Sequence, residues 1–150
     1  MPEASFPPNE GMEALALDPE AGADAYIVGA EVTGDTWTCR LSSPSCIKAP
    51  PVAKPPEFGL VAIRRLPGSL SVFLLRAFDE ERGNRNSLQV FRGTVMVARM
   101  DLAPPMTVDN YEGIAAVPRA DGTVRFYLIS DDNASASQRT ILLAFDWRPR

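Results

Sequence analysis

Short apolar runs separated by turn signals form the dominant pattern of this chain. The runs are rich in Val, Ile, Leu and aromatic residues, and pairs such as Pro67-Gly68 and Asp121-Gly122 interrupt them. Such runs indicate strands and hairpins, and no segment keeps a helical period long enough to predict a helix. The pattern predicts an all-β chain with strands over 12–17, 25–29, 36–41, 46–48, 59–64, 70–76, 88–91, 94–100, 113–117, 124–130 and 138–147.

An internal repeat suggests how these strands are grouped. Ala14, Gly59 and Gly113 each open an apolar run that is followed by a turn and a second, more hydrophobic run. Their spacing is close to the length of one four-stranded blade of a β-propeller, in which the innermost strands leave little room for side chains. The alternative is a chance similarity between short apolar strings. The repeat predicts a partial β-propeller of about three antiparallel blades.

The number of predicted blades bears on the completeness of the ring. Propellers typically close with about four to eight blades, whereas this chain supplies about three. Open sheet edges favour pairing with other chains, so we expect self-association. The count also leads us to expect that 1–150 is the C-terminal part of a longer protein.

Composition removes several classes of function. The 150 residues suffice for one core, and the net charge of −4 disfavours general binding to nucleic acid. No apolar run approaches the length of a membrane span. The chain has no histidine, which excludes His-based catalytic triads and His–metal sites.

Three sequence blocks near the end of the chain carry a family resemblance. They are DNYEGIA at 109–115, SDDN at 130–133 and QRTILLAF at 138–145. In this order and spacing they resemble the C-terminal end of the phytase-like family, named for the esterase-like activity of phytase. The upstream segments 9–16 (NEGMEALA) and 82–85 (RGNR) are similar to two further blocks of that family. The resemblance covers nearly the whole chain, but only the C-terminal portion of a family member.

The resemblance implies a β-propeller of exported bacterial proteins, periplasmic or secreted, with hydrolase activity on small phosphoester substrates. Residues 1–9 contain no secretory signal, so we expect any such signal in the parent protein to lie elsewhere. Two departures from the family pattern bear on activity. The N-terminal blades are missing, and 74–76 read Leu-Leu-Arg where the family usually has Leu-Glu-Arg. The alternative function is a non-catalytic propeller module that binds a ligand or a protein.

Glu13 and Glu112 are the first candidates for a metal site. Each precedes the small residue that opens a predicted inner strand. In a propeller, equivalent positions of this kind converge near one mouth of the central channel. Converging carboxylates suit a hard cation such as Ca²⁺, which polarises a phosphoryl oxygen or activates water. The alternative is that each carboxylate caps a strand end or pairs with an arginine.

Asp131 and Arg139 complete the predicted site. Asp131 belongs to the densest cluster of side-chain oxygens, 131–133, and is the third predicted metal ligand. The cluster also fits an Asx-type turn, which we expect at Asn133. Arg139 is predicted to bind substrate phosphate, with structural pairing to an acidic loop as the alternative. No residue is assigned as catalytic.

Cys39 and Cys46 lie close together in a polar segment. Two thiols without histidine cannot complete a structural zinc site. A disulfide across a hairpin and two free thiols are both compatible with the sequence, because the redox compartment of the protein is not known from these residues.

Overall fold

The computed structural model describes residues 2, 4–6, 8 and 10–149, and the prediction of an all-β chain is confirmed for them. Asn9, which belongs to the upstream family-like segment, lies outside the described residues. Eleven strands follow in chain order: β1 (Met12–Leu17), β2 (Ala25–Ala30), β3 (Thr36–Arg40), β4 (Cys46–Ala49), β5 (Gly59–Leu66), β6 (Leu70–Asp79), β7 (Gly83–Arg92), β8 (Val95–Leu102), β9 (Tyr111–Pro118), β10 (Val124–Ser130) and β11 (Leu142–Trp147).

The strands form three antiparallel sheets, in agreement with the predicted number. Sheet 1 has the order β1-β2-β3-β4, sheet 2 the order β5-β6-β7-β8, and sheet 3 the order β9-β10-β11. Each strand pairs with its neighbour in the sequence, so every sheet is a meander built from consecutive hairpins. Within the described residues, sheet 3 has three strands where the other two sheets have four.

A tight turn connects β6 and β7, whereas the predicted strands 70–76 and 88–91 leave a longer charged segment between them. β6 and β7 pair along their whole length, from Leu70 opposite Arg92 to Asp79 opposite Gly83. Asp79 accepts hydrogen bonds from the backbone N–H and the Nε of Arg82, and it also pairs with Arg85. These contacts pair Asp79 with both arginines at the end of the hairpin, where the two strands extend further than their apolar pattern indicates.

The first strands of the three sheets lie side by side, with β5 between β1 and β9. Small side chains make this approach possible. Ala14 and Ala16 of β1 are buried against Leu60 and Ile63 of β5. A Cβ atom at Gly29, on the neighbouring strand β2, would lie 2.5 Å from the Leu60 side chain. The space between sheets 1 and 2 is therefore too tight for larger residues here.

The largest core fills the space between sheets 2 and 3. Val72, Leu74 and Val90 of sheet 2 pack with Phe126 and Leu128 of sheet 3, and all five are almost completely buried. Phe126 also contacts Phe145 and Trp147, with ring centroids 5.5 Å and 6.1 Å away. Alternation of more buried and more exposed residues along β10 and β11 places these rings on the face that meets sheet 2.

Cys39 and Cys46 form a disulfide, which decides between the two alternatives left open by the sequence. They are directly opposite each other on β3 and β4, with Cα atoms 4.3 Å apart. The bridge ties the short outer strand of sheet 1 to its neighbour. Among the described residues, no helix is long and apolar enough to cross a membrane.

Candidate functional site

Glu13 and Glu112 occupy equivalent β-bulges. In sheet 1, Met12 pairs with Ala30 and Ala14 with Gly29, which leaves Glu13 as the extra residue. In sheet 3, the same irregularity leaves Glu112 as the extra residue between Tyr111 and Gly113. A bulge bends its strand and redirects a side chain. Both glutamates therefore lie at the beginning of the first strand of their sheets, in the same local geometry.

The corresponding bulge of sheet 2 corrects the alignment of the sequence repeat. Leu60 pairs with Leu75 and Ala62 with Leu74, so Val61 is the extra residue. The counterpart of Ala14 and Gly113 is accordingly Ala62, three positions beyond the Gly59 that the sequence suggests. Sheet 2 thus carries an apolar side chain at the position of the two glutamates.

Three charged residues occupy equivalent places, each opposite the residue with which the first strand of its sheet begins or which directly precedes that strand. Glu31 and Asp131 follow β2 and β10, whereas Arg76 lies within β6. Glu31 donates its backbone N–H to the carbonyl of Gly11, and Asp131 donates to that of Asn110, each over 3.0 Å. The matching pair in sheet 2 is Arg76 and Gly59. Glu31 and Arg76 were not predicted as site residues. Their signal in the sequence is a charged residue at or just beyond the end of an apolar run, a position that Asp131 also occupies.

Arg76 joins the three sheets at this end of the fold. Its Nη2 lies 3.5 Å from Oε1 of Glu31 in sheet 1, and its Nη1 lies 3.5 Å from Oε1 of Glu112 in sheet 3. Nη1 also donates a 2.6 Å hydrogen bond to Oδ1 of Asn110. We call Glu13, Glu31, Arg76 and Glu112 the acid–arginine cluster. With three carboxylates and one guanidinium, it carries a charge of −2 when all four groups are ionised.

Burial and the excess negative charge of the cluster both raise the pKa of Glu13. Partial burial raises the pKa of its carboxyl above the ordinary value, and the nearby charges of Glu31 and Glu112 raise it further. Arg76 acts in the opposite direction but does not cancel these effects. Carboxylates that disfavour one another's ionisation are a common feature of functional sites. A cation placed here would therefore be attracted by uncompensated charge.

Gly59 leaves room for one member of the cluster. A Cβ atom at this position would lie 2.7 Å from Oε1 and 2.8 Å from Cγ of Glu31. Only a residue without a side chain allows the Glu31 carboxylate to lie across the beginning of β5 and reach Arg76. The backbone carbonyl of Glu31 also accepts a hydrogen bond from the N–H of Leu60, which links sheets 1 and 2.

Asp131 is connected to the acid–arginine cluster through Asn110, whose Nδ2 donates a hydrogen bond to the backbone carbonyl of Asp131 and whose Oδ1 accepts one from Arg76. The Oδ1 atom of Asp131 accepts a hydrogen bond from the backbone N–H of Asn133, so the Asx-type turn expected at Asn133 is made by Asp131 instead. Asp132 makes the next turn by accepting from the N–H of Ala134. Asn133 instead bonds through its side chain to Gln138. The Oδ1 atom of Asp131 therefore stabilises a turn.

Arg139 points into solvent. Its side chain is 77% exposed, and its Nη2 lies 4.0 Å from Oδ2 of Asp109. Its backbone carbonyl accepts a hydrogen bond from the hydroxyl of Ser130, which holds the segment after β10 in place. Two further arginines, Arg82 and Arg85, both pair with Asp79 in the hairpin of β6 and β7.

The donor atoms of the acid–arginine cluster suit a hard cation, but their arrangement is not that of a formed metal centre. Glu13, Glu31, Glu112 and Asn110 supply oxygen donors of the kind that Ca²⁺ prefers. Over residues 10–149 and the few described before them, however, no three acidic or cysteine side chains are grouped as a metal centre. Arg76 lies between Glu31 and Glu112, where its guanidinium balances part of their charge.

Comparisons of this chain with protein-family models and with curated proteins give no match. The resemblance to the phytase-like family therefore rests on the sequence blocks described above.

Proposed function

We propose that the three sheets are consecutive blades of a β-propeller of the phytase-like type. The equivalent bulges at Glu13, Val61 and Glu112 support this architecture, as do the neighbouring first strands β1, β5 and β9. Repetition of one meander with the same local irregularity is typical of a radial repeat. In such a ring, the acid–arginine cluster lies at one mouth of the central channel.

For activity, we propose cation-assisted hydrolysis of a small phosphoester, the reaction that the family resemblance implies. The observation that carries this proposal is the meeting of Glu13, Glu31 and Glu112 around Arg76, with two of the carboxylates on equivalent bulges. Glu13 is the carboxylate without an ion pair to Arg76, and together with Glu31 and Glu112 it would hold calcium. When bound, the cation would polarise the phosphoryl oxygen or activate water.

Arg76 has two roles in this proposal. Its contacts with Glu31, Asn110 and Glu112 orient oxygen donors from different sheets. A guanidinium also pairs well with phosphate oxygens, because its N–H groups form a planar fork. Arg76 is thus a better candidate for substrate binding than the exposed Arg139.

The second candidate function is a non-catalytic propeller module that binds a ligand or a protein. The observation that favours it is the same arginine: ion pairs with Arg76 satisfy Glu31 and Glu112 without any metal. In that case the cluster would be a structural link between the sheets, and binding would take place elsewhere on the fold.

Two measurements on the chain distinguish the two candidate functions. Calorimetry measures calcium binding, and hydrolysis of p-nitrophenyl phosphate is measured alongside. We expect Glu112→Gln to weaken calcium binding and lower hydrolysis together, because it removes a charge while keeping the shape. Glu81→Gln, an exposed change in the turn before β7, is the matched control and should alter neither. Calcium binding without hydrolysis would support the binding module. Hydrolysis that is unaffected by Glu112→Gln and by a calcium chelator would rule out the proposed site.

A further inference from the structure

An apolar groove runs along the first strands at the end opposite the acid–arginine cluster. It consists of two adjoining cavities of about 420 and 490 Å³, which share Leu17 and Arg64. Volumes of this size are typical of small-molecule sites, at about 300–1,000 Å³. The groove begins beside Leu15 and extends to the ends of β1, β5 and β9. Its lining includes Leu15, Leu17, Tyr26, Ile63, Ile114 and Pro118.

Arg64 is the unusual residue of this groove. It lies in the middle of β5, is only half-exposed and lines both cavities. The neighbouring Arg65 is committed to Asp18 and Glu20, at 3.2 Å and 3.7 Å. The backbone of Arg64 pairs with Val72 of β6, but within the described part of the chain its guanidinium has no hydrogen bond, ion pair or ring contact. A half-exposed guanidinium beside apolar side chains and without an anionic partner is available to an anion, with which it would form charge-assisted hydrogen bonds.

The acidic groups near the groove do not supply this anion. Glu20, which lines the second cavity, accepts a hydrogen bond from the N–H of Ser69 and pairs with Arg65. Asp18 is almost buried and is bonded to the Nε of Arg65. Apart from Arg64 and the paired Arg65, the remaining lining residues are apolar or uncharged, so the groove presents one unpaired positive charge and a large apolar surface.

We propose that this groove binds a small amphiphile with one anionic group, such as a medium-chain carboxylate. The carboxylate would accept hydrogen bonds from the Arg64 guanidinium, and the hydrocarbon chain would cover Leu15 and Leu17, which are 67% and 64% exposed. Charge complementarity selects the head group, while burial of apolar surface supplies most of the affinity. The site is separate from the acid–arginine cluster and does not depend on the hydrolase proposal.

Titration of the chain with decanoate and with uncharged 1-decanol tests the proposal. We expect decanoate to bind roughly tenfold more tightly than decanol, as a charge-assisted hydrogen bond would give. Arg64→Met should abolish that difference while leaving decanol binding in place, because methionine keeps the apolar length of the side chain. Arg92→Met, an exposed arginine at the end of β7, is the matched control and should behave like the wild type.

A second pair of variants tests the same groove without removing Arg64. Leu17→Asp would place a carboxylate beside Arg64 and should weaken decanoate binding. Leu142→Asp is its control, because Leu142 is equally exposed at 64% and lies outside the groove. Circular dichroism would verify that each variant folds. If Arg64→Met does not fold, Leu17→Asp still tests the groove.

Three results would overturn the proposal. Decanoate could fail to bind at roughly millimolar concentration. It could bind as tightly to Arg64→Met as to the wild type. Sedimentation could instead show that a second copy of the chain covers the groove, with decanoate unable to compete.

Discussion

The Nη1 atom of Arg76 lies 3.5 Å from Oε1 of Glu112, which connects the second strand of sheet 2 to the first strand of sheet 3. The other terminal nitrogen of the same guanidinium faces Glu31 of sheet 1. One side chain therefore links all three sheets at the end where the bulged glutamates lie. We therefore expect Arg76 to stabilise the packing of the sheets, whether or not it has a catalytic role.

Arg76→Met should lower the free energy of unfolding by about 1–2 kcal/mol, because it leaves partly buried carboxylates and the Asn110 side chain without their cation. Urea denaturation measures this change. Arg99→Met is the control, since Arg99 pairs with Asp101 two residues away on the exposed strand β8. Its effect should remain within about 0.5 kcal/mol. Equal losses in the two variants would show that Arg76 does not hold the sheets together.

Glu13→Gln should stabilise the fold at neutral pH. The folded state raises the pKa of Glu13 above its ordinary value of 4.5, so ionisation of this group costs stability as the pH rises through the raised pKa. The glutamine variant avoids that cost, and its advantage should disappear as the pH falls below about 4.5. Urea denaturation of both proteins across this range gives the difference directly. An advantage that persists unchanged at low pH would contradict the electrostatic explanation.

Removal of the Cys39–Cys46 disulfide should lower the free energy of unfolding by about 2–3 kcal/mol, because the bridge restricts the unfolded chain. The double variant Cys39→Ser, Cys46→Ser tests this in thermal denaturation. The chain has two cysteines in all, so a reductant should lower the Tm of the wild type and leave that of the double variant unchanged. A wild-type Tm insensitive to reductant would mean that the bridge adds little stability.

Self-association remains a prediction, and strand β8 is a favourable place to test it. β8 is the outer strand of sheet 2 and exposes the consecutive apolar residues Val95, Met96 and Val97. We expect a weight-average mass that rises with concentration in sedimentation experiments, and a smaller rise for Val97→Lys, because a lysine on an edge strand opposes pairing. Val32→Lys, at a similarly exposed position in a turn, should leave the association unchanged. A monomer at all concentrations would refute the prediction.

Phe126→Ala should be the most destabilising of the single changes considered, with a loss of about 3–5 kcal/mol. Phe126 is fully buried and contacts both Phe145 and Trp147, so its removal leaves a cavity between sheets 2 and 3. Phe78→Ala serves as the control, because Phe78 is an exposed aromatic residue on β6. Similar losses for the two phenylalanines would place the main core elsewhere.

Local sequence determined the strands well, because a strand's apolar pattern and its turn residues are short-range properties. β1 and β10 match the predicted bounds, and the hairpins at Gly68 and Gly122 form with positive φ values of 77° and 81°. The predicted strands on either side of the charged turn before β7 were too short, because an apolar pattern does not register ion pairs. Asp79 pairs with Arg82 within the turn and with Arg85 across the hairpin, which places charged residues inside β6 and β7.

The sequence by itself determined the all-β class, the three hairpin-connected groups of strands and the equivalence of Glu13 and Glu112. It did not indicate that Arg76 lies between Glu112 and Glu31, because these residues are far apart in the chain and meet only when the sheets pack. The tertiary structure also decided which residue of β5 corresponds to Ala14 and Gly113. The bulge at Val61 identifies Ala62, three positions beyond Gly59, as the counterpart of Ala14. Bulges depend on how a strand pairs with its neighbour rather than on its own pattern of apolar residues.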